Sequence, residues 1–216
     1  MLKYRHWDVV IHDFLSLSMM SEFLKRHGLK LVVHLVALVP AVVMAWQLAR
    51  SSYLDPIRQL TTASGNTALA LLGLTLACTP LARLTGFRAV LRVRRTLGLY
   101  TFAYAALHLL IFAGWDYGFA WDYLVPALFM QRFVLAGLTA FVILLALALT
   151  STRGWQQRLG QWWKRLQRWV YAAAGLVVLH VLWLSKTPDK ALRYGVLLVL
   201  LLALRWVPVR TEKQNQ

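Results

Sequence analysis

The sequence predicts an all-α, polytopic membrane protein, a six-helix transmembrane bundle. Three observations predict it: an apolar content that no soluble domain of this length carries, charge-free stretches of bilayer length, and basic residues gathered between those stretches on alternate sides. Of the 216 residues, 59% are apolar and 15% are charged, and mean hydropathy is +0.56. Soluble proteins run at roughly 45–50% apolar even with glycine counted. A chain of this composition cannot cover a core with polar surface, and its hydrophobicity excludes intrinsic disorder. The single cysteine, Cys78, excludes an intrachain disulfide and a cysteine metal cluster.

The spans follow from the charges. Leu31 to Ala49, Gln59 to Ala82, Thr96 to Trp115, Phe133 to Thr152 and Trp169 to Ser185 are free of Asp, Glu, Lys and Arg. A helix crosses the bilayer core with about 20 apolar residues, within a range of roughly 17–25. The sixth span, Tyr194 to Val209, is interrupted by Arg205, whose aliphatic stem can reach the interface. Six spans put the N-terminus, the second and fourth loops and the C-terminal tail on one side. Of the 24 basic residues, 18 fall there, including Arg83, Arg88, Arg92, Arg94 and Arg95 in one loop and Arg153, Arg158, Lys164, Arg165 and Arg168 in another. Basic residues are retained on the cytoplasmic side, so both termini are expected in the cytoplasm. Trp46, Trp115, Trp169, Trp183 and Trp206 fall near span ends, where indole rings favour the interface.

A net charge of +16 also suits nucleic-acid binding. Here the basic residues cluster between apolar runs rather than within one soluble module, so they read as a topology signal. Membrane lipids, and no nucleic acid, are the expected contacts. Residues 1–28 mix charges with a short apolar run and read as an N-terminal extension, either an interfacial helix or a stretch upstream of a start at Met20. Residues 29–207 form the transmembrane domain and 208–216 a cytoplasmic tail. No internal repeat is evident in the sequence.

Polar residues at depth carry the functional information, because a charge at the bilayer centre costs about 2.5–3.5 kcal/mol even on insertion scales. All eight acidic residues lie outside the spans. That counts against proton pumps and ion-coupled transporters, which usually need an intramembrane carboxylate. Histidine remains: His34, His108 and His180 in spans one, three and five. His108 and His180 lie at similar distances along two helices that run the same way, about 17–18 Å from their inner ends at 1.5 Å per residue. Such a pair has two readings. Each imidazole can hydrogen-bond a neighbouring helix, or the two can face each other and take both axial positions of one heme iron. His34 lies near the inner end of span one, where packing or an interfacial hydrogen bond is the expected role.

The run RRTLGLYTFAYAALH, Arg94 to His108, resembles the MsrQ (formerly YedZ) family, the heme-binding membrane subunits of periplasmic methionine sulfoxide reductase systems. That family lies within the ferric-reductase-like transmembrane superfamily. LDPIRQL (Leu54–Leu60), TPLARLTG (Thr79–Gly86), LALTSTRGWQQRLGQWWKRLQRWVY (Leu147–Tyr171), LHVLW (Leu179–Trp183) and LLALR (Leu201–Arg205) are similar too. The resemblance covers residues 29–206. It implies a b-type cytochrome of the bacterial inner membrane, with heme between the third and fifth spans on His108 and His180. Electrons would come from the quinone pool or a cytosolic flavin reductase. They would pass to a periplasmic molybdopterin methionine sulfoxide reductase (MsrP), which repairs oxidised envelope proteins. On this reading the chain is an electron-transfer subunit of an oxidoreductase complex, not its catalytic subunit.

One departure bears on heme number. Many members carry another histidine in an L-H-R-x-x-Y pattern at the start of the fifth span, where this chain has Gln167; the matching position on span three is Arg94. A guanidinium offers iron no lone pair and an amide is a poor ligand. One heme b is therefore expected rather than two, with His34 the remaining candidate for an inner site. The resemblance also admits FMN there, with Arg94, Arg95, Arg165 and Arg168 as phosphate or propionate contacts, or as plain topogenic charge. Two other readings stay open: a transmembrane metalloreductase-type cytochrome, and a non-redox membrane protein whose histidines only pack helices.

Overall fold

A computed structural model of the chain describes residues 28–50, 54–185 and 189–204, and among them the regular structure is all helical. Helix α1 covers Gly28–Ala49. It is followed by α2 (Pro56–Thr85), α3 (Val90–Ile111) with a π-helical extension (Phe112–Asp116), α4 (Trp121–Met130) and α5 (Arg132–Leu149). Then come α6 (Arg153–Leu159), α7 (Gln161–Gln167), α8 (Val170–Leu184) and α9 (Asp189–Ala203). Five stretches are long and apolar enough to cross a membrane: α1, α2, α3 with its extension, α5, and α7 continued into α8. The sixth expected span is represented by a shorter apolar helix, Ala191–Ala203. Arg205, the extension up to residue 27 and the tail at 208–216 lie outside the described residues.

The helices overrun the spans expected from charge-free counting. Helix α2 starts at Pro56 rather than Gln59, α3 at Val90 rather than Thr96, and α9 at Asp189 rather than Tyr194. Arg92, Arg94, Arg95 and Arg193 are thus helical, and the loop from Arg153 to Arg168 folds into α6 and α7. A charge ends an apolar window but not a hydrogen-bonded ladder, which runs on until a cap stops it. For α2 the signals are explicit. The Asp55 carboxylate accepts the Arg58 N–H at 3.1 Å, Pro56 opens the helix, and Gly86 closes it in the left-handed region at φ 72°. Between α6 and α7 the chain turns at Gly160, φ 49°. The Trp163 indole then ties α7 back to α5 by donating to the Thr150 carbonyl at 3.0 Å.

Beyond α3 the π-helical turn widens the ladder by one residue. Phe119 follows with a positive φ of 55°. Its N–H donates to the Ala113 carbonyl at 2.9 Å, and its ring folds over Gly114, where a Cβ would stand 2.9 Å from Phe119 Cε2.

Two apolar clusters hold the bundle. In one, Met44 of α1 meets Leu60, Leu71 and Cys78 of α2 and Val93, Leu97, Tyr104 and Ile111 of α3. In the other, Leu72 and Leu76 of α2 meet Leu144 and Leu147 of α5 and Val170, Ala173 and Ala174 of α8. Helix α2 serves both and is the central one, with 44% of its most apolar window buried against 11% for α1. Helix α3 packs chiefly on α2 and α8 chiefly on α5, giving two hairpins. Lipid tails are as apolar as leucine, so these contacts act through close packing and hydrogen bonds rather than through exclusion of water. Serine and threonine hydroxyls within the spans return to their own helix, as in Ser64 to the Leu60 carbonyl, Thr75 to Leu71 and Thr101 to Leu97. No buried side-chain nitrogen or oxygen among the described residues lacks a partner.

One hydroxyl of α3 makes two bonds to the backbone of α1. Tyr104 on α3 donates to the Ala37 carbonyl at 2.6 Å and accepts the Ala41 N–H at 3.1 Å. In a regular helix those two groups bond each other. Pro40 lies between them and its ring disturbs the preceding turn, so the phenol braces the backbone where it is weakest. Tyr104→Phe is expected to lower the unfolding free energy of the detergent-solubilised protein by about 1–3 kcal/mol. Thermal unfolding beside Tyr123→Phe, at a site 72% exposed, checks this; equal shifts for the two would contradict it.

Candidate functional site

The two hairpins bring one histidine each to a common place. His108 is on α3 and His180 on α8. Their ring centroids are 6.2 Å apart with planes at 89°. Helices α3 and α8 have almost no close backbone approach of their own, so they meet across this pair of rings. Both side chains are half-buried.

Each ring is oriented by a carbonyl of the other helix in its hairpin. His108 Nδ1 lies 2.8 Å from the Thr61 carbonyl oxygen on α2. His180 Nδ1 lies 2.6 Å from the Phe133 carbonyl oxygen on α5. A carbonyl oxygen can only accept, so each Nδ1 carries the hydrogen and donates it. Both Nε2 atoms therefore keep a lone pair, the form in which neutral imidazole binds metal. Phe133 also lies against the His180 ring, with centroids 6.0 Å apart.

Geometry can be tested against a shared metal. Metal–imidazole bonds of about 2 Å on either side put two ring centroids roughly 6 Å apart. The observed 6.2 Å agrees, and the tautomers are those ligation requires. Among the described residues no group of three His, Cys, Asp or Glu side chains could hold a bare metal ion. Two nitrogens alone suit a metal whose other positions are filled by a macrocycle, and the residues present fit a heme.

The other expected site residues are placed elsewhere. His34 on α1 pairs with Tyr100 of α3, with Nδ1 2.9 Å from the hydroxyl and the rings edge to face at 5.6 Å. Arg94 donates to Thr79 Oγ1 at 3.3 Å. Gln167 Nε2 reaches the Leu147 carbonyl at 3.5 Å. Arg165 lies over the Trp162 ring at 4.7 Å, beside an open hollow of about 450 Å³ lined by Leu159, Trp162, Arg165, Leu166 and Trp169. Arg95 and Arg168 are exposed. These contacts tie each side chain to its own neighbourhood and do not gather them around one ligand.

Four contributors escaped the sequence reading: the carbonyls of Thr61 and Phe133, and two glycines facing the rings. A Cβ on Gly65 would stand 3.0 Å from His108 Nδ1, and one on Gly137 2.7 Å from His180 Nδ1. The signal available was a shared interval, since each glycine precedes its histidine by the same number of residues.

Known proteins supply the context. Residues 64–178 match the family described as ferric reductase like transmembrane component. The protein-methionine-sulfoxide reductase heme-binding subunit MsrQ of Xanthomonas axonopodis pv. citri (strain 306) is 39% identical over 181 residues, covering 80% of this chain and 83% of that protein. The MsrQ of Xanthomonas campestris pv. campestris (strain B100) is 38% identical over the same extent. No solved structure is significantly similar.

The assigned tautomers are open to direct measurement. In protein labelled with ¹⁵N-histidine and freed of any metal, His108 and His180 are expected to show protonated Nδ1 and bare Nε2 resonances. A protonated Nε2 at either position would contradict the carbonyl bonds.

Proposed function

The chain belongs to the MsrQ family of ferric-reductase-like transmembrane proteins, and from that premise we propose that it is a b-type cytochrome subunit carrying electrons across the bacterial inner membrane. His108 and His180 are its axial ligands. The observation that carries the reading is the pair of imidazoles at 6.2 Å, each with Nδ1 held by a carbonyl and Nε2 free for iron. Heme b, when bound, supplies the ferric–ferrous couple. The protein would hold both ligands through their carbonyl bonds on membrane-spanning helices, and two histidines on one heme iron would leave no coordination position for a substrate. That donor set suits electron transfer rather than catalysis at the iron.

One heme is proposed. At the second position Arg94 and Gln167 cannot replace histidine, and His34 is engaged with Tyr100. With the arginine-rich side in the cytoplasm, both termini are cytoplasmic and the histidine pair lies toward the periplasm. The electron acceptor is then a periplasmic molybdopterin-dependent methionine sulfoxide reductase, and the donor is the quinone pool or a cytosolic flavin reductase. On the inner side Arg165, with Trp162 and Trp169 beside it, offers charge and aromatic surface for an FMN. The competing reading is structural: two histidines that merely bond neighbouring carbonyls would produce the same Nδ1 contacts.

An absorption spectrum of the purified protein separates the two. His108→Ala and His180→Ala are each expected to abolish heme retention. A variant that kept the wild-type Soret band and a bis-histidine signature would remove the assignment. The 89° between ring planes makes a second expectation. Perpendicular imidazoles donate evenly into two iron d orbitals and leave them nearly degenerate, so the ferric EPR spectrum should be strongly anisotropic low-spin. A rhombic spectrum of the parallel-ring type would contradict the geometry.

A further inference from the structure

The surroundings of His108 and His180 repeat. In each hairpin a carbonyl of the first helix accepts Nδ1–H, a glycine follows four residues later, and the histidine comes 47 residues after the carbonyl. Thr61 to Phe133, Gly65 to Gly137 and His108 to His180 are all separated by 72 residues. One local solution has been used twice, once for each face of the proposed heme.

The glycine has a specific place in that solution. In an α-helix the carbonyl of residue i already accepts from the N–H of residue i+4. A side chain at i+4 stands beside that carbonyl, in the space an incoming ring must use. Both i+4 positions here are glycine. A Cβ at Gly137 would lie 2.7 Å from His180 Nδ1 and 3.0 Å from Cε1; at Gly65 the corresponding distances to His108 are 3.0 and 3.1 Å. At the closer position the ring would have to leave its carbonyl, while at the other a few tenths of an ångström would suffice.

We propose that Gly65 and Gly137 are positioning residues for the axial pair: each is a notch that lets an imidazole reach a carbonyl already committed to the helix ladder. The notch does two things. It fixes the plane of the ring, and it makes Nδ1–H a strong donor to that carbonyl. Donation pushes electron density toward Nε2, and a more basic axial nitrogen favours ferric over ferrous iron. Gly65 and Gly137 thereby hold the midpoint potential down and keep the ring planes crossed. This rests on the ligand assignment above.

The test uses the heme-loaded full chain in detergent, with a reductive titration and ferric EPR as readouts. Gly137→Ala is expected to raise the midpoint potential and alter the g-values, and Gly65→Ala to do the same to a smaller degree. Gly195→Ala, on α9 with only an ordinary 3.6 Å contact to Val178, should match wild type. Alanine is a better helix former than glycine, so loss of the fold is not the expected outcome. Should Gly137→Ala fail to accumulate, Gly65→Ala carries the same test in milder form. Wild-type potential and g-values in both variants would overturn the proposal. Failure of the ligand assignment would look different, with His180→Ala or His108→Ala retaining a six-coordinate spectrum. In that case the metal-free protein decides. Gly137→Ala must then shift the His180 Nδ1 resonance away from its hydrogen-bonded position, and an unmoved resonance overturns the notch.

Discussion

A neutral imidazole inside a bilayer has one N–H that must find an acceptor, and no water is there to provide it. That requirement organises this bundle. Among the described residues the one acidic side chain in a span-length helix is Asp116, at the far end of the extension of α3, and the acceptors for His108 and His180 are main-chain carbonyls of Thr61 and Phe133. An imidazole reaches a carbonyl of another helix only where the two helices pack closely. Hence α2 must lie against α3, and α5 against α8, at the level of the rings. The two hairpins are the architecture that the hydrogen bonds demand, and two neighbouring imidazoles with Nε2 left unprotonated are its product.

The division of labour among the helices follows. Helix α2 contributes to both apolar clusters and joins the hairpins, while α1 is attached at one side through Met44, the His34–Tyr100 pair and the Tyr104 hydroxyl. In a solvent as apolar as the side chains, such an arrangement depends on a few directional bonds and on close approach at small residues. Gly65 and Gly137 are therefore part of the packing as well as of the placement of the two imidazoles. Without a side chain at those positions, ring and helix backbone can come together.

Much of this was legible in the sequence, for identifiable reasons. Apolar windows between charges gave the spans because the bilayer sets their length. They misplaced the helix ends because Arg92, Arg94, Arg95 and Arg193 end a window without ending a helix. The short helices α4, α6 and α7 escaped notice, being too brief for a span. Depth matching singled out His108 and His180, and the structure puts their rings side by side. His34 was expected to pack or to make an interfacial hydrogen bond, and Tyr100 stands beside it. The carbonyls of Thr61 and Phe133 could not be read directly, since every residue has one. Their glycines could have been, but two residues at equal intervals do not look like a repeat until the contacts show what they share.

The π-helical turn at Phe112–Asp116 has a consequence for how this chain tolerates changes in length. Such a turn is in effect an α-helix carrying one surplus residue. Here it lies past His108 and Ile111, and the backfolded Phe119 seals it. A one-residue deletion within it can be taken up by reverting to the ordinary winding, with the histidine-bearing turn below left unrotated. The segment is a register buffer: the connection to α4 can shorten by a residue without turning His108 away from His180.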